Sequence, residues 1–198
     1  MTRRSGMACG AVMCTFLAGC GGGGNSSHHT TPTVAATVTS PDTGRLVCSQ
    51  DIGAMRPGSS GLHTVLGVVA LPTAPRYGAL QTSRTGMHGR LRLFAKTGLL
   101  VKPHTRFELR VPVGLRRRMA ISWGNAGDPP PRSRFVVEDC GGSVATSSRW
   151  LAYAGGYYVS RPACVPLDVL ANGRRRRVRL GLGTPCPGQR PPPQPTQS

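Results

Sequence analysis

The chain has 198 residues, with 25 lysines and arginines against 7 aspartates and glutamates and a formal net charge of +18. No period of 20–50 residues repeats, which sets aside solenoids and propellers, and no apolar run approaches the roughly 20 residues that a membrane-spanning helix needs. The length is also too short for two α/β lobes closing around a solute, the architecture of a transporter's binding component.

The first nineteen residues divide as a secretory signal does. Arg3 and Arg4 supply the positive start. Residues 7–17 form the apolar middle, led by Val12, Met13, Phe16 and Leu17, and Ala18-Gly19 are the small residues before a cut. Leu17-Ala18-Gly19-Cys20 matches, position for position, the lipobox of bacterial lipoproteins, and the N-terminus resembles that family. The resemblance implies that the Cys20 sulfur receives a diacylglyceryl group and that Cys20 becomes the first mature residue. It also implies an extracytoplasmic protein anchored to the cell membrane by lipid. Each buried methylene contributes about 0.8 kcal/mol, so two acyl chains hold firmly. Arg3-Arg4 does not extend to a twin-arginine signal, because Ser5-Gly6 stand where apolar residues are wanted.

Removing residues 1–19 leaves 198 − 19 = 179 residues and a net charge of 23 − 7 = +16. Glycine, serine, threonine and proline dominate residues 20–44, which read as a flexible tether. Residues 189–198 carry Pro191-Pro192-Pro193 and Pro195 and read as a disordered, unpacked tail. Residues 45–188 remain as one domain, large enough to fold alone. Its cysteines are Cys48, Cys140, Cys164 and Cys186, and an even number behind a secretion signal indicates two disulfides. Four cysteines allow three pairings. The favoured one joins Cys140 to Cys164 and Cys48 to Cys186, the latter tying the domain's ends together. The spacings contain no C-x-x-C or H-x-x-x-H unit, so neither a metal nor another cofactor is expected.

Strand signals through the domain are short and punctuated. Residues 45–48 open it, and 51–61, with Pro57-Gly58-Ser59-Ser60-Gly61, read as a turn. Residues 62–71 form one strand ended by Pro72, and 73–88 a polar loop. Residues 89–101 make a strand broken at Gly98 by a bulge or turn. Residues 105–111 set Phe107, Leu109 and Val111 against Arg106, Glu108 and Arg110, the alternation of a sheet with one dry and one wet face. Met119, Ile121 and Trp123 repeat it, 124–132 form a loop, and 135–140 another strand. Gly155-Gly156, between aromatic runs, reads as a hairpin turn, and so does Asn172-Gly173. Residues 164–170 and 174–182 flank the second, with Val178, Leu180 and Leu182 inward. No segment sustains helical amphipathicity over three turns. The pattern predicts an all-β fold, a disulfide-stabilised two-sheet β-sandwich that is immunoglobulin-like only loosely, through Cys140, Trp150 and Cys164.

Chemistry has few candidates. Gly58-Ser59-Ser60-Gly61 lacks the second spacer of G-x-S-x-G, but His63 follows and Asp51 precedes, the basis of an alternative reading as a small exported hydrolase. Glu138 and Asp139 are strand neighbours that point to opposite faces and cannot share a site. Glu108 reads as an ion partner between Arg106 and Arg110. His28-His29 lie in the tether, while His63, His88 and His104 read as isolated and solvated. No phosphate loop or dinucleotide fingerprint is present.

Binding offers two candidates. Trp150, Tyr153 and Tyr157, beside Tyr158, give flat surface for a sugar ring or a protein, or else pack in the core. Alternation sends Arg175, Arg177 and Arg179 to one side, a positive stripe toward anionic lipid or an acidic envelope polymer. Such a run also serves as a charged sheet edge that blocks aggregation.

Phe94-Ala95-Lys96, Ser122-Trp123-Gly124, Trp150-Leu151-Ala152-Tyr153-Ala154-Gly155-Gly156-Tyr157 and Pro162-Ala163-Cys164-Val165-Pro166-Leu167 carry a second likeness. Through them the body resembles small lipoproteins of high-GC Gram-positive bacteria over roughly residues 90–186, a likeness that brings no activity with it. The expectation is a membrane-anchored, non-catalytic binding or structural module at the cell envelope. Its partner would be anionic lipid, an envelope polymer or an envelope protein. Nucleic acid is not expected, because an exported chain rarely meets it.

Overall fold

The structure, a computed structural model, describes residues 42–86, 89–124, 130–141, 146 and 148–193. The expectations for the signal, for Cys20, for His28-His29, for His88 and for residues 194–198 lie outside these. Among the described residues, alternating apolar positions form twelve strands and no α-helix. They are β1 (Thr43–Arg45), β2 (Ala54–Met55), β3 (His63–Val65), β4 (Val69–Leu71), β5 (Ser83–Arg84) and β6 (Leu93–Val101), followed by β7 (Phe107–Arg110), β8 (Met119–Trp123), β9 (Arg134–Val137), β10 (Trp150–Val159), β11 (Ala163–Ala171) and β12 (Arg174–Leu182).

Two sheets result. The five-stranded sheet runs β1-β9-β7-β11-β12, and the seven-stranded sheet runs β2-β10-β6-β4-β3, with β5 joined to β6 and β8 to β10. Strand pairing is antiparallel except for β1 against β9. Their inner faces share one core that includes Leu71, Leu99, Leu109, Met119, Ile121, Leu167 and Leu180. Trp123 meets Phe135 of the other sheet edge-on, centroids 5.8 Å apart, and Tyr157 at 5.3 Å. Such aromatic pairs add about 0.5–1.5 kcal/mol beyond the area they bury. The fold is the expected disulfide-stabilised β-sandwich.

Several boundaries differ from the sequence reading. β1 begins at Thr43, inside the expected tether, because Asp42 accepts a hydrogen bond from the Ser133 N–H at 3.1 Å and lays the chain along β9. Gln189, expected to open the tail, is 8% exposed. Its side chain accepts from the Cys186 N–H at 2.9 Å and donates to the Tyr77 carbonyl at 2.7 Å. Residues 62–71 divide into β3 and β4 at Leu66-Gly67, where φ is 51° and 70°, a type I′ turn closed by Val68 N–H donating to Val65. Asn172-Gly173 turn as expected.

Gly155-Gly156 do not turn. β10 runs straight through them, with β6 on one side and β8 on the other. A Cβ on Gly155 would strike the Ser122 carbonyl oxygen, and one on Gly156 the Ala95 carbonyl oxygen, so only glycine admits three strands this closely. Gly98 does not break β6 either, since it faces Ala154 in continuous register.

The four cysteines pair as Cys48–Cys140 and Cys164–Cys186, Cα atoms 5.2 and 4.9 Å apart, not as Cys140–Cys164 and Cys48–Cys186. Parallel β1 and β9 carry their downstream ends, Cys48 and Cys140, to the same place. Cys164 faces Gly181 across the β11–β12 pair, and the chain beyond Leu182 turns at Gly183 to bring Cys186 back to it. These bonds place the folded chain in an oxidising, extracytoplasmic compartment. No helix among the described residues is long and apolar enough to cross a membrane.

Candidate functional site

Strand register orders the outward residues of the five-stranded sheet into rows. One reads Thr43, Arg134, Arg110, Asp168, Arg177, and the next reads Arg45, Val136, Glu108, Leu170, Arg175. Asp168, 1% exposed, sits under its arginines. It accepts from Arg177 Nε at 2.9 Å and from Arg175 at 2.5 Å. Burial alone would raise its pKa, but the hydrogen bonds from Arg177 and Arg175 outweigh burial and hold the carboxyl below its ordinary range. Glu108 repeats the arrangement with Arg110 at 2.7 Å and Arg134 at 2.6 Å, and its pKa is likewise lowered against the effect of burial. It therefore bridges Arg110 and Arg134 rather than Arg106 and Arg110.

Arg45 pairs with Glu138. Asp139 turns elsewhere, to His104 at 3.3 Å, so His104 is exposed but not isolated. Of the stripe read from sequence, Arg175 and Arg177 are tied to Asp168, while Arg179 has no carboxylate partner among the described residues. A shallow groove of ≈ 420 Å³ crosses this face over Val136 and Leu170, walled by Arg106, Arg134, Arg174 and Arg175 together with Glu108 and Glu138.

The even-numbered arginines of β12 do something else. Arg174 and Arg176 share the pleat side of Val178, which faces the other sheet, and they emerge where β12 and β3 part. A cleft of ≈ 440 Å³ opens there, lined by Arg174, Arg176, Arg177 and Arg179 on one wall and His63, Thr64 and Thr73 on the other. His63 Nδ1 lies 3.1 Å from Thr73 Oγ1. Burial, then the charges of Arg76 and Arg176, push the His63 pKa down. The sequence reading has Arg174 and Arg176 in the basic run 174–177 but takes only Arg175, Arg177 and Arg179 as the stripe. The signal was the same alternation, read for the other face.

The aromatic candidates are taken up by packing. β10 is one continuous strand, so its pleat sends Tyr153 and Tyr157 into the core and Trp150 to the opposite side, against Ala70, Leu100 and Ala152. Trp150 is 7% exposed and the two tyrosines fully buried, which leaves no ring face open to a ligand. Tyr153 donates to the Cys48 carbonyl at 3.2 Å, and burial followed by the nearby Asp51 charge pushes its pKa up to about 12. Burial raises the Tyr157 pKa as well.

The hydrolase residues are not assembled. Ser59 and Ser60 donate to the carbonyls of Arg56 and Pro57 at 2.8 and 2.7 Å, Asp51 accepts from the Gly53 N–H, and His63 is held by Thr73. Among the described residues no three His, Cys, Asp or Glu side chains converge as a metal site. No protein-family model matches the chain, and no curated protein matches it.

Proposed function

We propose that the chain is a non-catalytic binding module, held at the outer side of the cell membrane by an acylated Cys20, that contacts an anionic envelope polymer through the arginine face. One observation supports the reading. On that face Arg45, Arg110, Arg134, Arg175, Arg177 and Arg179 stand against Glu108, Glu138 and Asp168, so positive charge is left over after every carboxylate is paired. The pairing also has a use. Guanidinium groups already fixed by carboxylates lose less side-chain freedom when a partner arrives.

Binding is tested with the non-acylated Cys20→Ser protein, using long-chain polyphosphate as the soluble polyanion and anionic against neutral vesicles. The expected result is polyphosphate binding that weakens as salt is added. Binding unaffected by salt, or equal to that for a neutral polymer, overturns the polymer contact, and binding to anionic vesicles alone replaces the polymer by lipid. Intact-mass measurement on the membrane fraction tests the anchor, and a chain recovered unmodified from the soluble fraction overturns it.

A further inference from the structure

The cleft between β12 and β3 differs from the sheet face in one respect: among the described residues no carboxylate lines it. Asp168, which holds Arg177, projects from the other face of β11. We propose that this cleft binds a phosphate group, carried as an ester or anhydride in a larger anion, between the Arg174 and Arg176 guanidinium groups and the His63 wall. This deepens the polyanion reading by naming the site and the group it takes, and it rests on that reading for the anionic character of the ligand.

The donors come from two directions. Guanidinium forks match phosphate oxygens two at a time, and His63 lines the cleft opposite them from β3. Arg179 and Gly181 turn their carbonyls outward to Ala74 and Leu80, so strand alternation turns the Arg177 N–H to the same edge, where it has no backbone partner among the described residues. Donors on both walls suit a tetrahedral oxyanion better than a planar carboxylate. Thr73, 3% exposed, fixes the His63 ring through Nδ1 and leaves Nε2 without a partner among the described residues. The charged groups around His63 are Arg76 from the segment after β4 and Arg176 from β12, with Arg174 and Arg179 also lining the cleft and the Arg177 guanidinium held on Asp168. Burial first, and then the charges of Arg76 and Arg176, lower the His63 pKa, and a bound phosphate opposes the charge part.

The test is an NMR titration of the His63 ring in the Cys20→Ser protein, the signal assigned by its loss in His63→Gln. Inorganic phosphate is expected to raise the His63 midpoint by about half a unit or more. In Arg174→Gln/Arg176→Gln, two exposed changes with little effect on folding, the phosphate-free midpoint rises and phosphate no longer moves it. A wild-type midpoint that phosphate leaves in place, or one that moves equally in the double variant, overturns the proposal. Long-chain polyphosphate and phosphatidylglycerol vesicles then serve as separate arms. A shift with polyphosphate alone assigns the phosphate to a soluble polymer, and a shift with vesicles alone assigns it to a lipid headgroup. Salt-sensitive polyphosphate binding with an unmoved His63 rejects this site and leaves the function reading intact.

Discussion

The two sheets hold together by different means. The five-stranded sheet is cross-linked by side chains, through disulfides and ion pairs. Both disulfides lie on it or just past its strands, Asp168 holds two arginines of the neighbouring strand β12, and Glu108 joins Arg110 of its own strand to Arg134 of β9. Among the described residues the seven-stranded sheet shows no disulfide or ion pair between its strands. It relies on close approach, with Gly155 and Gly156 letting β6 and β8 crowd β10, Phe94 against Tyr158 at 4.7 Å, and Trp150 over Ala70, Leu100 and Ala152. Charge and small size are alternative ways to consolidate the outer side of a sheet. Only the first leaves uncompensated positive charge at the surface.

The largest expected effect tests the cross-links. Cys48–Cys140 closes a loop with a sequence separation of 92 and Cys164–Cys186 one of 22. Loop-closure entropy then predicts a loss of about 4–5 kcal/mol for Cys48→Ser/Cys140→Ser and about 3–4 kcal/mol for Cys164→Ser/Cys186→Ser. Denaturant unfolding of the two variants side by side measures both. Equal losses would mean that loop length is not what sets them.

Close approach is tested next, within the seven-stranded sheet. Gly156→Ala drives a Cβ into the Ala95 carbonyl and is expected to cost about 3 kcal/mol. Gly98, on the neighbouring strand β6, has nothing near an added Cβ, so Gly98→Ala stays within about 0.5 kcal/mol of wild type. Similar values for the two would remove close packing as the reason for the central glycines.

How much of this was legible differs between the same two regions. The Asn172-Gly173 turn fixes β12 against β11. Counting back from Ala171 opposite Arg174 places Asp168 opposite Arg177 and Cys164 opposite Gly181, which the sequence alone permits. The stripe was therefore readable and its anchor, Asp168, was readable with it. The Cys48–Cys140 bond was not, because it follows from a parallel pairing between β1 and β9 some 90 residues apart, and nothing local encodes it. In the other sheet, Gly155-Gly156 has the composition of a hairpin turn. Only the presence of β6 and β8 on either side decides for a strand. Leu66-Gly67 fails in the opposite sense, since a leucine at positive φ carries no turn signal. The cleft needs both sheets in place, and so no segment announces it.

Asp168→Asn sharpens the comparison on the charged side, with an expected loss of about 2 kcal/mol at pH 7, the range for hydrogen bonds to a buried charge whose partners stay half in solvent. The sign with pH follows from the lowered pKa. A carboxyl held below its unfolded value of 3.8 contributes fully above that pH, and the contribution disappears as pH falls through the lower folded value. Wild type and variant should therefore differ at neutral pH and converge in acid below about pH 4. A difference that persists at low pH would mean that the side chain acts by shape rather than charge.

The smallest effect concerns two tyrosines on the same strand and the same face of β10. Tyr157 buries a hydroxyl with no hydrogen-bond partner among the described residues, while Tyr153 gives its hydroxyl to the Cys48 carbonyl beside the cross-linked end of β1. Tyr157→Phe removes a desolvated group and no bond, keeps the ring against Trp123, and is expected to stabilise by about 1 kcal/mol. Tyr153→Phe leaves the Cys48 carbonyl without its donor and is expected to destabilise by a similar amount. Thermal unfolding of both variants reads the two signs. A loss of stability in Tyr157→Phe would mean that a buried water satisfies the hydroxyl, a second polar link in the core beside the one that Tyr153 makes.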